Sequence, residues 1–502
     1  MEDKALKSIA KGASILLIGA IFGKFLAFLY RIVLSKLGPE TYGEISLAIS
    51  LFSILSVIAI LGLDTGVLRY VSIFYREKDH RKIKGTILFS TKIIFLLSMI
   101  FSILLFLLSD WINDTFFQSA NLSLILKVMA IALPFESLKS IWTNSLKAFQ
   151  KVEYDIYARV IGEIFLRILL TVLFIKLGLG IFGASIAYAI SIIFSCTLLF
   201  IFLETKAFSL AKKSIKAIAK RKEILFYSLP LVFNSLTIII INAADTLILG
   251  YFYNPSIVGI YNVAIPIAKL ILIIPTALMG VYIPILAVVQ NEKKAFEKVY
   301  YTITKWIFFI NFISLAWLIL YSKDLIIRFF TASYVSAEIP LIILAVGYVI
   351  NSCTYSSRDI LLLLNKTKTI FAATVISCVI NILLNIILVP AYGMIGAAIA
   401  TMGSLTILSL ILFIKAKKEA KINPLRKRIF IGAISITIAA ILSKILTKYI
   451  NLGLGVTDLI LSSLILTSIA MITTLSMGIW EKEDKEMLKT ILQKINSIRW
   501  KK

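Results

Sequence analysis

GASILLIGAIFGKFLAFLYRIVLSKLGPETYGEISLAISLFSILSVIAILGLDTGVLR, from Gly12 to Arg69, is two long apolar runs joined by the short turn LGPETYG. The first run, Gly12 to about Lys36, is long enough to cross a bilayer, which takes about 20 apolar residues. It nevertheless carries Lys24 near its middle and Arg31 seven residues later. That spacing is two helical turns, so both cations are expected on one face of one helix. The second run opens at Gly43 and closes in LGLDTGVLRY, with Asp64 and Arg69 in its last turns. One charge at the centre of a membrane helix costs at least about 2.5–3.5 kcal/mol. Two on one face are expected to meet water or an anion rather than lipid.

The whole chain shares this character. Of its 502 residues 59% are hydrophobic and 16% charged, with a mean hydropathy of +0.95, which excludes an ordinary soluble domain. The 53 Lys and Arg against 27 Asp and Glu would suggest nucleic acid in a soluble protein. Here they sit mostly in short loops between apolar runs, where membrane orientation accounts for them. Cys196, Cys353 and Cys378 lie inside apolar runs without metal-like spacing and read as small packing residues. The one histidine, His80, falls in the basic loop REKDHRK. The polar N-terminus EDKALKSIAK and the length of the first run predict a retained first helix rather than a cleaved signal.

Fourteen spans are expected: about 12–36, 43–73, 85–109, 121–148, 153–176 and 181–203, then 224–252, 257–289, 297–321, 335–364, 369–389 and 394–415, and last 429–450 and 456–479. The fold class is therefore an all-α integral membrane protein, two lobes of six helices plus two C-terminal helices. The expected organisation is an N-terminal lobe over 1–204, an interfacial linker helix over 205–223, a C-terminal lobe over 224–415, a basic loop over 416–428, the last two spans within 429–479 and an amphipathic tail over 480–502. Linker and tail are read as helices because Phe208, Ala211, Ile215 and Ile218, and again Leu488, Ile491, Leu492, Ile495 and Ile498, recur at helical spacing among charges. Alternate loops are rich in Lys and Arg, such as 76–84, 206–222 and 415–428, whereas SDWINDTFFQSAN, FYNPSIVG and VPAYG have almost none. By the positive-inside rule both termini are expected in the cytoplasm.

An internal repeat supports the two lobes. LGIFGASIA at 179–187 matches YGMIGAAIA at 392–400, and YGEISLAI at 42–49 matches VGIYNVAI at 258–265, at offsets of 213 and 216. An even number of spans per copy relates the lobes by an axis along the membrane normal, with a cavity between them.

Further charges fall inside spans: Glu136 and Lys139 after Pro134 in span four, Arg159, Glu163 and Arg167 in span five, Asp245 in span seven, Lys269 in span eight, and Arg358 and Asp359 in span ten. Glu136, Glu163, Asp64 and Asp245 are candidate charge partners or coupling groups. Glu163 can pair with either arginine four residues away, but one carboxylate cannot neutralise both, so span five is expected to keep a net positive face. At the 216 offset Lys24 maps to Ile240 and Arg31 to Leu247, so the cations belong to the first copy. Pro266, Pro275 and Pro284, nine residues apart in span eight, each remove a helical hydrogen bond and suit a hinge. No Cys/His pair, Walker A loop, nucleophile elbow or metal-spaced cluster is visible, so the chain reads as no enzyme, with no cofactor and no metal.

The opening LGPETYGEISLAISLFSIL, the LGLDTGVLRY that closes span two, the two GxxGA(S/A)IA repeats and the six-plus-six-plus-two layout resemble the polysaccharide flippases of the multidrug/oligosaccharidyl-lipid/polysaccharide exporter superfamily. The resemblance covers nearly the whole chain. It implies a transporter of the cell membrane that moves a lipid-linked oligosaccharide from the cytoplasmic to the outer leaflet by alternating access. Implied partners are that glycan, membrane lipids, and the glycosyltransferases or polymerase of the same pathway. Related lipid II flippases are similar in placing basic side chains in a central cavity, which Lys24 and Arg31 match in kind. A pyrophosphate needs cations to leave the headgroup region, and arginine offers it a bidentate fork. Lys24 and Arg31 are therefore the first candidates for substrate binding, with Lys139 and Arg167 behind them. The alternatives are a cation-coupled multidrug antiporter of the same superfamily and a non-transporting scaffold of envelope assembly.

Overall fold

The computed structural model describes residues 19, 21–212, 214–289, 292–422, 427–450, 455–481 and 484, without the side chains of 277, 280–285 and 287. Among these residues the regular structure is helical and no strand occurs. The order is α1 (21–35), α2 (Pro39–Ile60), α3 (Leu63–Arg76), α4 (His80–Ile112), α5 (Leu122–Ala148), α6 (Val152–Ile156), α7 (Leu166–Lys176), α8 (Gly180–Phe202) and α9 (Arg221–Phe252). It continues with α10 (Pro255–Lys269), α11 (Ile273–Val289), α12 (Lys293–Phe329), α13 (Glu338–Cys353), α14 (Tyr355–Leu363), α15 (Thr367–Ala420), α16 (Lys427–Tyr449) and α17 (Val456–Ser476).

Ten described helical stretches are long and apolar enough to cross a membrane. Exposed Leu96 and Leu107 on α4, and Ile434 and Ile441 on α16, are the outward faces such helices turn to lipid. Several predicted spans are divided for identifiable reasons. Leu61 and Gly62 are left-handed (φ 51° and 64°), which ends α2 and restarts the chain as α3. The 54-residue α15 is far longer than one crossing, and it is divided at Gly393 (φ 53°, ψ −128°), inside the VPAYG segment. Between α6 and α7 the helix widens into π-helical turns over Tyr157–Phe165, which carry Arg159 and Glu163.

The chain packs as two compact units, 1–263 with 381–397, and 264–380 with 398–502. The core of the first holds Val67 and Val71 of α3, Ile87 of α4, Ile141 of α5 and Leu199 of α8. In the second, Ile307, Ile360 and Leu412 form one apolar cluster, and Phe309, Ile436 and Leu466 another.

The linker departs from expectation. Its described residues between 208 and 220 are not helical. Tertiary hydrogen bonds replace the helical ones: the Ile218 amide donates to the Arg81 carbonyl (3.0 Å), and Lys84 Nζ donates to the Lys212 carbonyl (2.6 Å). Phe208 stacks on both His80 and Phe149, with centroids 5.9 and 5.8 Å away. The amphipathic spacing is real, but docking onto the start of α4 engages Phe208 and leaves Ala211 and Ile218 exposed. That start is itself capped by Asp79, which accepts from the Lys82 amide at 3.0 Å and whose carboxyl is held below its ordinary range by hydrogen bonds from Lys82. The predicted tail helix, with Leu488, Ile491, Leu492, Ile495 and Ile498, lies outside the described residues.

Candidate functional site

Arg31, on α1, is half-buried, and its Nη1 donates to Tyr42 Oη at 3.1 Å and to the Asn262 carbonyl at 3.5 Å. Tyr42 Oη donates to the same carbonyl at 3.3 Å. That carbonyl is open to them because Pro266, four residues on in α10, has no N–H to give it. The same device occurs in α5, where Pro134 frees the Ala130 carbonyl and Ser102 Oγ of α4 takes it at 2.6 Å. Among the described residues Arg31 has only neutral acceptors. Lys24 is exposed and has no hydrogen-bond or ion-pair partner among them.

The second charged cluster joins α5, the π-helical turns, α7 and α8. Lys139 Nζ lies 2.5 Å from Glu136 and 2.8 Å from Glu163. Arg167 reaches Glu163 at 2.6 Å and Ser191 Oγ at 2.9 Å, with its guanidinium 4.0 Å from the Tyr188 ring centroid and 5.5 Å from that of Tyr30. Two cations face two carboxylates. Both carboxylates are therefore engaged without Lys24.

The net positive face expected of span five is not found. Arg159 pairs with Asp155 at 2.8 Å, one helical turn earlier, and Glu163 is left to Arg167 and Lys139. Asp155 is fully buried and also meets Lys147 at 3.5 Å and Thr143 at 3.1 Å. It escapes the charges read inside spans, because it sits at the charged start of span five rather than within the apolar run.

Asp64 is half-buried and accepts from Ser140 Oγ at 3.3 Å and Thr65 Oγ1 at 3.5 Å. Asp245 is buried and accepts from Tyr261 Oη at 2.6 Å and Asn385 Nδ2 at 2.9 Å. The single span predicted over 257–289 is α10, a 3₁₀ turn at Leu270–Leu272, and α11. Pro275 is the third residue of α11, so the Ile271 carbonyl loses its helical donor where the chain tightens. Pro284 lies further along α11.

One cluster is not anticipated by the sequence. Lys305 of α12 is buried against Asp484 and lies 3.2 Å from Glu481, Trp306 Nε1 donates to Asp484 at 2.9 Å, and Arg428 pairs with Glu481. Lys305, well inside span nine, was the available signal.

Ten described helical stretches long and apolar enough to cross a membrane, with charged side chains buried among them, are the architecture of a multi-pass membrane protein. The chain belongs to the polysaccharide biosynthesis protein family, whose profile matches residues 9–290; the MatE profile matches 230–387. An uncharacterized membrane protein of Methanocaldococcus jannaschii is 25% identical over 426 residues, 80% of this chain and 81% of that one. A probable flippase of Haloferax volcanii, AglR, is 31% identical over 181 residues, 35% of this chain and 38% of its own length. In fold the chain is similar to the lipid II flippase MurJ in an inward closed conformation, with a TM-score of 0.70 and 18% identity over 92% of this chain and 98% of that one.

Proposed function

We propose that this protein is a flippase that carries a lipid-linked oligosaccharide, on a polyprenyl or dolichyl phosphate or pyrophosphate, from the cytoplasmic to the outer leaflet by alternating access. The observation that carries the reading is Arg31, an arginine within a predicted membrane span whose described partners are a phenol and a carbonyl, neither of them charged. Retaining a cation at that depth without a carboxylate is costly, and a phosphate ligand offsets the cost. Lys24, two turns earlier and without a described partner, is the second phosphate contact. The family profile and the flippase names of AglR and MurJ support the same substrate class.

In this reading two six-span lobes over 1–204 and 224–415 alternate about the substrate, both termini face the cytoplasm, and the prolines at 266, 275 and 284 form the hinge. Lys139 and Arg167 bind phosphate only by exchanging an existing ion pair. Asp64 and Asp245 are candidate coupling groups. The glycosyltransferases or polymerase of the pathway are its candidate neighbours in the membrane.

The test is charge reversal in purified protein reconstituted into vesicles with a fluorescent polyprenyl-pyrophosphate oligosaccharide. Lys24→Glu and Arg31→Glu are each expected to abolish leaflet exchange at normal protein levels. Normal exchange by both would remove the phosphate site. The multidrug reading is favoured by the MatE match over 230–387; it predicts efflux of a cationic dye, which the same vesicles measure.

A further inference from the structure

α12 and α16 are pinned together at two points, and an apolar groove runs between the pins. At one end the Phe309 ring of α12 lies against the backbone of α16 at Gly432, where a Cβ would strike it. At the other end the buried hydroxyls of Tyr321 and Thr447 share a hydrogen bond of 2.9 Å. Between the pins Ala316 and Ala440 are too small to fill the space, and a groove of about 400 Å³ opens, walled by Phe312, Ile319 and Ile441. Its polar lining residues are Thr437 and Lys444. The Thr437 hydroxyl is satisfied within its own helix, donating to the Ala433 carbonyl at 2.9 Å.

Lys444 sets what the groove takes. It is exposed, its ammonium lies 4.8 Å from the Tyr321 ring centroid, and it has no ion-pair partner among the described residues. It stands five residues before the end of α16 at Tyr449, about 8 Å of helix. Its long stem therefore reaches the headgroup level while its carbons follow the apolar wall. The lining runs from 312 to 320 on α12 and from 437 to 445 on α16. That is about 12 Å of helix, most of one leaflet of a hydrocarbon core about 30 Å thick. An apolar groove of that depth, with an uncompensated cation at its mouth, is complementary to an acyl chain that ends in a phosphate. A docked protein helix would cover the apolar wall and leave the lysine without an anion.

We propose that the groove between α12 and α16 holds a resident membrane lipid, its acyl chain along Ala316 and Ala440 and its anionic phosphate headgroup on Lys444. The site goes beyond the flippase reading and does not depend on it, since none of these residues is a candidate substrate contact. The lipid supplies the packing that the two alanines leave out, and so braces α16 against α12 between the two pins.

Native mass spectrometry of the detergent-purified protein, titrated with dioleoyl phosphatidylglycerol, counts bound lipid and reads the oligomeric state, and thermal melts establish that each variant is folded. One tightly held phosphatidylglycerol per chain is expected, with a raised melting temperature. Dioleoylglycerol, which has the chains without the phosphate, and glycerophosphate, which has the head without the chains, are each expected to bind more weakly. Lys444→Gln, at an exposed site, is expected to weaken phosphatidylglycerol binding about fivefold, the worth of one lysine near a membrane surface. Ala440→Phe, which fills the groove, is expected to abolish it; should that variant not fold, Lys444→Gln decides alone. No phosphatidylglycerol on the wild type, or equal binding by the wild type and the folded variants, overturns the site. Dioleoylglycerol bound as tightly as phosphatidylglycerol overturns the headgroup contact. A dimer that Ala440→Phe dissolves, with lipid binding unchanged, overturns the lipid as occupant in favour of a second copy of the chain.

Discussion

Gly43 and Gly259 lie against each other's helix backbones. A Cβ on Gly43 would come 2.9 Å from the Gly259 amide nitrogen, and one on Gly259 would come 2.9 Å from the Gly43 amide nitrogen. Each would also strike a carbonyl one turn earlier in the opposite helix, that of Pro255 or Pro39. The two glycines are 216 residues apart, the offset of the internal repeat, and each follows a helix-starting proline by four residues. Equivalent points of the two copies thus meet in a reciprocal contact, which the absence of side chains permits.

Gly43→Ala and Gly259→Ala are expected to be destabilising by similar amounts, about 1–3 kcal/mol each from overpacking. The double variant should cost less than the sum, because either methyl alone already forces the helices apart. Thermal unfolding of the three variants in detergent checks this; full additivity would mean that the contact is not reciprocal.

Pro266 and Tyr42 are expected to be energetically coupled. Pro266→Ala returns an N–H to the Asn262 carbonyl, which then depends less on the Tyr42 hydroxyl. Tyr42→Phe should cost about 0.5–1.5 kcal/mol in the wild type and measurably less in the Pro266→Ala background. A double-mutant cycle on unfolding free energies measures the difference.

Lys305 and Asp484, 179 residues apart, form a buried ion pair. Removing Lys305 leaves buried Asp484 without a described cation, so Lys305→Met is expected to cost about 3–5 kcal/mol. Lys305→Met combined with Asp484→Leu should recover more than half of that loss, since neither charge is then left unpaired. Melting temperatures of the single and double variants decide it.

The membrane class, the repeat and the candidate cations were legible because each depends on spacing along the chain. A run of about 20 apolar residues crosses a bilayer whatever its neighbours do, and the 216-residue offset between YGEISLAI and VGIYNVAI is visible before any folding. Even the carbonyls of Asn262 and Ile271 that lack a helical donor follow from the missing N–H of Pro266 and Pro275, a property of one residue.

Partner choice was not legible, because opposite charges pair by proximity in space and several pairings satisfy the same sequence. Arg159 could have taken Glu163 but took Asp155, and Glu163 went to Lys139 from α5 as well as to Arg167 on its own span. Residues 208–220 had the spacing of an amphipathic helix, yet the described ones are not helical and hydrogen-bond to the start of α4 through Ile218 and Lys212. Pro266 announces a free carbonyl at Asn262, but only the approach of α1 and α2 assigns it to Arg31 and Tyr42. The sequence by itself determined which segments are long and apolar enough to cross a membrane and which charges lie in them, since hydrophobicity is summed along a segment. The tertiary structure alone decided which of those charges are neutralised and which, like Arg31, have only neutral partners among the described residues, since hydrogen bonds and ion pairs are short-ranged and require their partners within a few ångströms.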